Sequence, residues 1–264
     1  MSENKTVIHP TAILDPSVEL GEGVYIGPYC VIGENVKIGD GCVLESHVTI
    51  KCNTELGKNN KLSPCVALGG DPQDYGYNGE PTFVKRGDNN ILREFVTVHR
   101  ASGEGKTTLV GSNSMIMAYS HVAHNCVIGD FVTIANYAGL CGHVHIEDKA
   151  VIGGLSGIHQ NATVGTMAMI GGCARVNVDV PPYSKVGGSP LEVHGANVIA
   201  MRRHGVSPEA RKEVKETIEE VFCMRKSRDA ALAEIEAKGF GSPEYLHLVD
   251  FIKKMRAGDN GRQR

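Results

Sequence analysis

Tryptophan is missing from this 264-residue chain, and aromatic residues make up only 5% of it. A broad core built around large rings is therefore excluded; the interior has to be narrow and filled by Val, Ile, Leu and Ala. No CxxC pair occurs among the eight cysteines, which removes the short-spacing zinc and dithiol motifs. Cys30, Cys42, Cys126 and Cys173 instead fall in or beside an apolar ladder, where reduced thiols pack like Val or Ala, and this points to a cytoplasmic setting. No apolar run approaches the roughly 20 residues that span a bilayer, and the opening MSENKTVIHP has no signal-peptide core, so no stable membrane insertion is expected. Neither sign of charge dominates. A formal net charge of -3 argues against an extended nucleic-acid surface.

What the chain does have is a period of six. Small or aliphatic residues recur at Ala12, Val18, Val24, Cys30, Val36, Cys42 and Val48, and a second series runs two places behind through Leu14, Leu20, Ile26, Ile32, Ile38, Leu44, Ile50, Leu56, Leu62 and Leu68. Gly often follows the second series directly, as at Gly21, Gly27, Gly33, Gly39 and Gly57. The pattern returns at Val110 and continues through Ile116, Val122, Ile128, Ile134, Leu140, Ile146, Ile152, Ile158, Val164, Ile170 and Val176. Two apolar positions in six, with turn formers between them, describe very short strands joined by tight corners; no helix period fits. One such unit cannot bury its apolar face alone. Successive units must stack, and the fold expected is a hexapeptide-repeat parallel β-helix.

Two stretches interrupt the ladder. GGDPQDYGYNGEP at 69–81 and ASGEGKT at 101–107 are too rich in Gly, Pro and Asp for strands. Ala12, Val66, Val96 and Cys126 still differ by multiples of six, so whole loops are extruded without breaking the phase. Pro181 and Pro182 end the repeat. Helices follow. Met201 to His204 begins one, Ser207 and Pro208 supply an N-cap and first turn, a second runs from about Ser227 to Lys238, and Ser242 and Pro243 open a third. The chain thus divides into a β-helix over 1–190, with loops at 70–80 and 101–107, and a helical domain over 191–264.

Histidines are the most informative polar residues. If each triangular coil consumes three hexads, His124 lies beneath Gly142 and His143, and these beneath Gln160, so three segments converge on one prism edge. Histidine, with an ordinary pKa of about 6.5, is a suitable general base, and a glycine amide can hold an oxyanion. Two other readings remain open on the residues alone: solvent-facing corner residues, or a metal held by His124, His143 and His145.

GGDPQDYGYNGEPT, REFVTVHR, HVAHNC, GLCGHV, GIHQNATVG, GGCARVNVDVPPYSKVGGSP and NVIAMRRHG, in this order, resemble the UDP-N-acetylglucosamine 3-O-acyltransferase family of lipid A biosynthesis. The resemblance implies a left-handed β-helix, a homotrimer with active sites between neighbouring prisms, no cofactor and no resident metal. It implies transfer of a (3R)-3-hydroxyacyl group from acyl carrier protein to the 3-hydroxyl of the UDP-sugar, with His124 as base and the Gly142 amide as oxyanion donor. Asp74, His99, His121, His143, His159 and Gln160 would contact substrate; Asn197, Arg202 and Arg203 would lie near the uridine or phosphates. Met169 and Gly172 would shape the acyl pocket, Gly172 leaving room for a longer chain. Lys212, Lys226, Arg228, Lys253 and Lys254 are candidate contacts for the carrier protein. Two positions depart from relatives: Gly76 stands where some have Lys, and Asn125 where some have Asp. N-acylation of a 3-amino sugar and a zinc enzyme of the γ-carbonic-anhydrase kind are the competing activities.

Overall fold

A computed structural model describes residues 5–224 and 227–257. Lys226 and the tail GDNGRQR lie outside the described residues, as does the side chain of Arg228. Strands of two to four residues, separated by tight corners, wind into a left-handed parallel β-helix; with the closing five-residue strand Glu192–Ala196, its three sheets hold eleven, nine and eight strands among the described residues. The second apolar series supplies the wall-to-wall filling: Ile26, Ile32, Leu44, Ile50, Leu62, Leu68, Leu92, Ile116, Ile134, Leu140, Ile146 and Ile152 are all fully buried. Because side chains alternate across a strand, the residue before each of these points outward. Position 121 is such an outward site, so His121 stands on the outer face next to buried Val122.

Register shows how the loops are accommodated. Val43 pairs with Lys61 eighteen residues on, whereas Lys61 pairs with Ile91 and Ile91 with Met115. Those two coils take 30 and 24 residues, the surplus being the first loop, between strands Ala67–Gly70 and Phe83–Arg86, and the second, between Thr97–His99 and Thr107–Val110. Most corners place one residue in the left-handed region. One edge uses Asn35, Asn53, Asn125, His143 and Asn161, as suits residues that tolerate positive φ. Another uses Phe95, Tyr119 and Tyr137, whose rings stack at 4.8 and 4.9 Å. That contact offsets part of the strain of bulky residues at φ near 60°.

Cys30, Cys42 and Cys126 are buried in the ladder as free thiols and donate to the carbonyls of Glu45, Gly57 and Cys141, while Cys173 sits exposed at an edge. The ladder runs one strand beyond Pro181 and Pro182: Ser184–Gly187 joins the largest sheet and pairs antiparallel with Glu192–Ala196, forming a hairpin that leads into the helices. These are α1 (Val198–Arg203), α2 (Pro208–Ile218), α3 (Arg228–Ala237) and α4 (Pro243–Ala257), with a π-helical turn at Glu219–Cys223 that the sequence reading lacked. Ser207 and Ser227 cap α2 and α3 through bonds from Ala210 N and Ala230 N. Met201, Val214, Ile218, Leu232, Ile235 and Leu248 form their separate core.

Candidate active site

One prism edge and the two loops above it gather the titratable side chains. His124 leaves the ladder two residues after strand His121–Val122, and Gly142 occupies the equivalent place one coil further on. A Cβ on Gly142 would lie 2.5 Å from both Cε1 and Nε2 of His124, so the glycine backbone rests directly against the imidazole. The Gly142 N–H donates to no protein group among the described residues. His143 packs edge-on to His124 with ring centroids 5.3 Å apart, its own N–H bound to the His124 carbonyl at 3.0 Å.

The orientation of His124 is set by Asn125. Asn125 Oδ1 lies 2.8 Å from His124 Nδ1. Which end of the amide faces the ring is decided by backbone groups: Ser102 N donates to Oδ1 at 2.9 Å, and Nδ2 donates to Ser102 O at 3.0 Å. With Oδ1 against it, His124 Nδ1 has to carry the proton, which leaves Nε2 as a lone-pair acceptor. A carboxylate is therefore not needed to fix this tautomer; the amide at position 125 does so while adding no charge.

His99 and His121 lie beside this pair, with ring centroids 4.9 Å apart, and His121 Nδ1 is 2.7 Å from Thr97 Oγ1. Burial, reinforced by the neighbouring histidines, pushes His121 down to about 4. Burial likewise lowers His99 and, less deeply enclosed, His143. His99, His121 and His143 thus resist protonation in the range where an isolated histidine would titrate. Asp74, on the first loop, has its pKa lowered by the Ser102 hydroxyl, the Gly76 N–H, and then by His124 and His143. It enters the cluster as a carboxylate. Gly76 N donates to Asp74 Oδ1 at 2.9 Å, so Gly76 helps to shape the turn that presents it. Arg100, buried at the root of that loop, binds Asp71 Oδ1 at 2.6 Å and Tyr77 OH at 3.1 Å.

The structure therefore brings together Asp74, His99, His121, His124, Gly142 and His143. His159 and exposed Gln160 stand one coil beyond Gly142 on the same edge, Asn161 N binding Gly142 O. His145 projects from another sheet, on strand His145–Ile146, and no three His, Cys, Asp or Glu side chains among the described residues are arranged to hold a metal. Met169 and Gly172 border a different edge, the one carrying Tyr119 and Tyr137. Arg202 and Arg203 are exposed at the end of α1. Asn197 is 5% exposed and spends its side chain inside the protein, capping α1 through Ala200 N at 3.2 Å and donating to Met167 O at 2.9 Å. Lys212, Lys253 and Lys254 each face a carboxylate, of Glu216, Glu236 and Asp250. Sequence reasoning missed Ser102 and Thr97. Thr97 could have been found, because the preserved phase places it beneath His121 once the second loop is subtracted.

Comparison with known proteins gives a consistent picture. The family described as Udp N-acetylglucosamine O-acyltransferase, domain 2, matches residues 179–259, and bacterial transferase hexapeptide repeats match 17–52 and 107–142. An acyl-(acyl-carrier-protein)–UDP-N-acetylglucosamine O-acyltransferase of Alkalilimnicola ehrlichii is 44% identical over 96% of this chain and 98% of its own. A protein of the same name from Gloeothece citriformis is 43% identical over 94% of this chain and 89% of its own. The crystal structure of Francisella novicida UDP-N-acetylglucosamine acyltransferase superposes with a TM-score of 0.90 at 37% identity, covering 97% of this chain and 93% of that one, so the likeness runs through both the prism and the helices.

Proposed function

The chain belongs to the acyl-(acyl-carrier-protein)–UDP-N-acetylglucosamine O-acyltransferase family, and from that premise we propose that it moves a (3R)-3-hydroxyacyl group from acyl carrier protein to the 3-hydroxyl of UDP-N-acetylglucosamine, the first step of lipid A biosynthesis, with His124 as general base. The observation that carries this reading is the Asn125-fixed tautomer, with Nε2 free beneath Gly142. Nε2 takes the proton of the sugar hydroxyl as its oxygen attacks the thioester carbonyl. The Gly142 N–H receives the oxyanion of the tetrahedral intermediate. Collapse breaks the carbon–sulfur bond, and the departing phosphopantetheine thiol takes the proton back from Nε2. The neighbouring histidines favour this cycle by staying neutral, so no second cation competes for the imidazole's place. Asp74, with His99, His121, His143, His159 and Gln160, receives the sugar.

The acyl pocket requires a second copy. Met169 and Gly172 sit on a different edge from His124, so one prism alone does not place them in one cleft. In a homotrimer the base edge of one prism faces the other edge of its neighbour, and a shared site results. Arg202 and Arg203 suit the nucleotide diphosphate through paired hydrogen bonds, and Asn197 holds the helix that carries them next to the uridine. No helix among the described residues is long and apolar enough to cross a membrane.

Purified protein, a panel of 3-hydroxyacyl carrier proteins and mass spectrometry test the reading. Ester formed on UDP-N-acetylglucosamine is expected; amide formed only on the 3-amino analogue would move the enzyme to N-acylation. Mixing His124→Ala chains with chains bearing a Gly172→Met block tests sharing. Mixed trimers should regain activity that neither parent has, and no recovery would contradict a site built from two subunits.

A further inference from the structure

Ser102 lies in the second loop, a stretch whose sequence suggests only a turn, yet it touches both halves of the site. Its N–H and carbonyl clamp the Asn125 amide at 2.9 and 3.0 Å. Its hydroxyl is the leading influence that holds the Asp74 carboxyl below the usual carboxylate range. The loop around it is stitched to the first loop at both ends: Arg100 N to Gly70 O at 2.9 Å, Gly103 N to Glu80 Oε1 at 2.8 Å, and Gly105 N to Pro81 O at 2.9 Å. Asn125 is held from a third side by Thr108 Oγ1, which accepts its N–H at 2.9 Å.

We propose that Ser102 is a positioning residue that couples the acceptor-binding carboxylate Asp74 to the base His124 through Asn125. It acts in two separable ways. The hydroxyl favours the carboxylate form of Asp74, the form that accepts hydrogen bonds from the sugar. The backbone holds Asn125 in the one amide orientation that keeps the His124 proton on Nδ1. Were Asn125 free to turn over, its NH2 would face Nδ1 and the proton would move to Nε2, the nitrogen that must accept it from the sugar. A rotation of one neutral side chain would then disable the base with no change of fold. The charged and titratable groups facing this unit are Asp74 and Glu80 of the first loop, His99 and His121 of the outer sheet and His143 of the next coil, with Asp71, Arg100 and Lys51 acting on His99 from the loop root.

The proposal rests on the acyltransferase reading for its catalytic consequence, and spectra that need no turnover keep the two apart. In 15N-histidine spectra of the intact protein, His124 should appear as the Nδ1–H tautomer alone, and Asn125→Leu should give a mixture. Ser102→Ala keeps the backbone clamp, so it should leave that tautomer unchanged. It should raise the pH at which the Asp74 carboxylate titrates in 13C spectra. It should also raise KM for the UDP-sugar about threefold, the scale of a solvent-screened contact to a carboxylate, with little change in kcat. An Asp74 titration and a KM both unmoved in Ser102→Ala, or a mixed His124 tautomer in the unaltered protein, would overturn the coupling. Absence of acyl product from either sugar would refute the acyltransferase reading, and the spectra would still decide the coupling.

Discussion

Gly142→Ala is the most exacting single perturbation. The new Cβ would stand 2.5 Å from Cε1 and Nε2 of His124 and 3.1 Å from Nδ1, whereas carbon atoms rest about 3.5 to 4.0 Å apart at their optimum. The imidazole must retreat by about 1 Å, enough to break the 2.8 Å contact with Asn125 and to cost on the order of 100-fold in rate if His124 is the base. That loss corresponds to about 2.7 kcal/mol of transition-state stabilisation. Stability should move much less. Gly142 does not use the left-handed conformation, and the half-buried ring can swing toward solvent; a gain of about 0.4 to 1 kcal/mol from a stiffer unfolded chain offsets part of the crowding. The assay is kcat/KM for acyl transfer alongside the thermal midpoint. Gly157→Ala is the control, because its Cβ would meet nothing within 4 Å. A Gly142→Ala enzyme as active as the control would refute the packing of glycine on the base.

Acid should weaken the fold through His121. Its folded pKa, about 4, lies below the ordinary value of about 6.5, so the unfolded chain binds the extra proton first as pH falls. Stability is then full above about pH 6.5 and declines toward pH 4, by about 3 kcal/mol from this group. Urea midpoints at pH 7 and 4.5 should converge in His121→Gln; an unchanged difference would contradict the assignment. Arg86 points into the prism, 5% exposed, with neither terminal nitrogen partnered among the described residues, and burial pushes its guanidinium down to about 9. Arg86→Met should therefore stabilise the protein by about 1 to 3 kcal/mol in denaturant titrations, since a polar group left unpaired in an apolar interior is costly. Asn197→Ala removes the α1 cap and the bond to Met167, for an expected loss of about 2 kcal/mol, read as a lower thermal midpoint and a higher KM for the UDP-sugar.

The hexad phase alone made the prism legible, because burial of two positions in six leaves a coil few alternatives. It also held more than was drawn from it. Position 86 falls in the same inward series as Leu68 and Leu92, so the count places Arg86 inside, against the usual expectation for arginine. The spacing from His124 to Gln160 is two full coils, whereas that from His124 to Gly172 leaves two hexads over, which assigns the acyl-pocket residues to another edge. The loops were not legible in this way. Ser102 has no register to read, and its contacts depend on how the second loop folds back over Asn125. Asn197 illustrates the other limit: a polar residue in a binding motif can equally be a helix cap, and only the bond to Met167 shows that its side chain is already engaged.

The central claim is that His124 Nε2 is the base for O-acylation. Ester formation from a 3-hydroxyacyl carrier protein and UDP-N-acetylglucosamine, followed by mass spectrometry for the unaltered protein and for His124→Ala side by side, tests it most directly. Product from the unaltered protein and a loss of at least about 100-fold in the variant are expected from a base contribution of that order. Equal product from both would contradict the account.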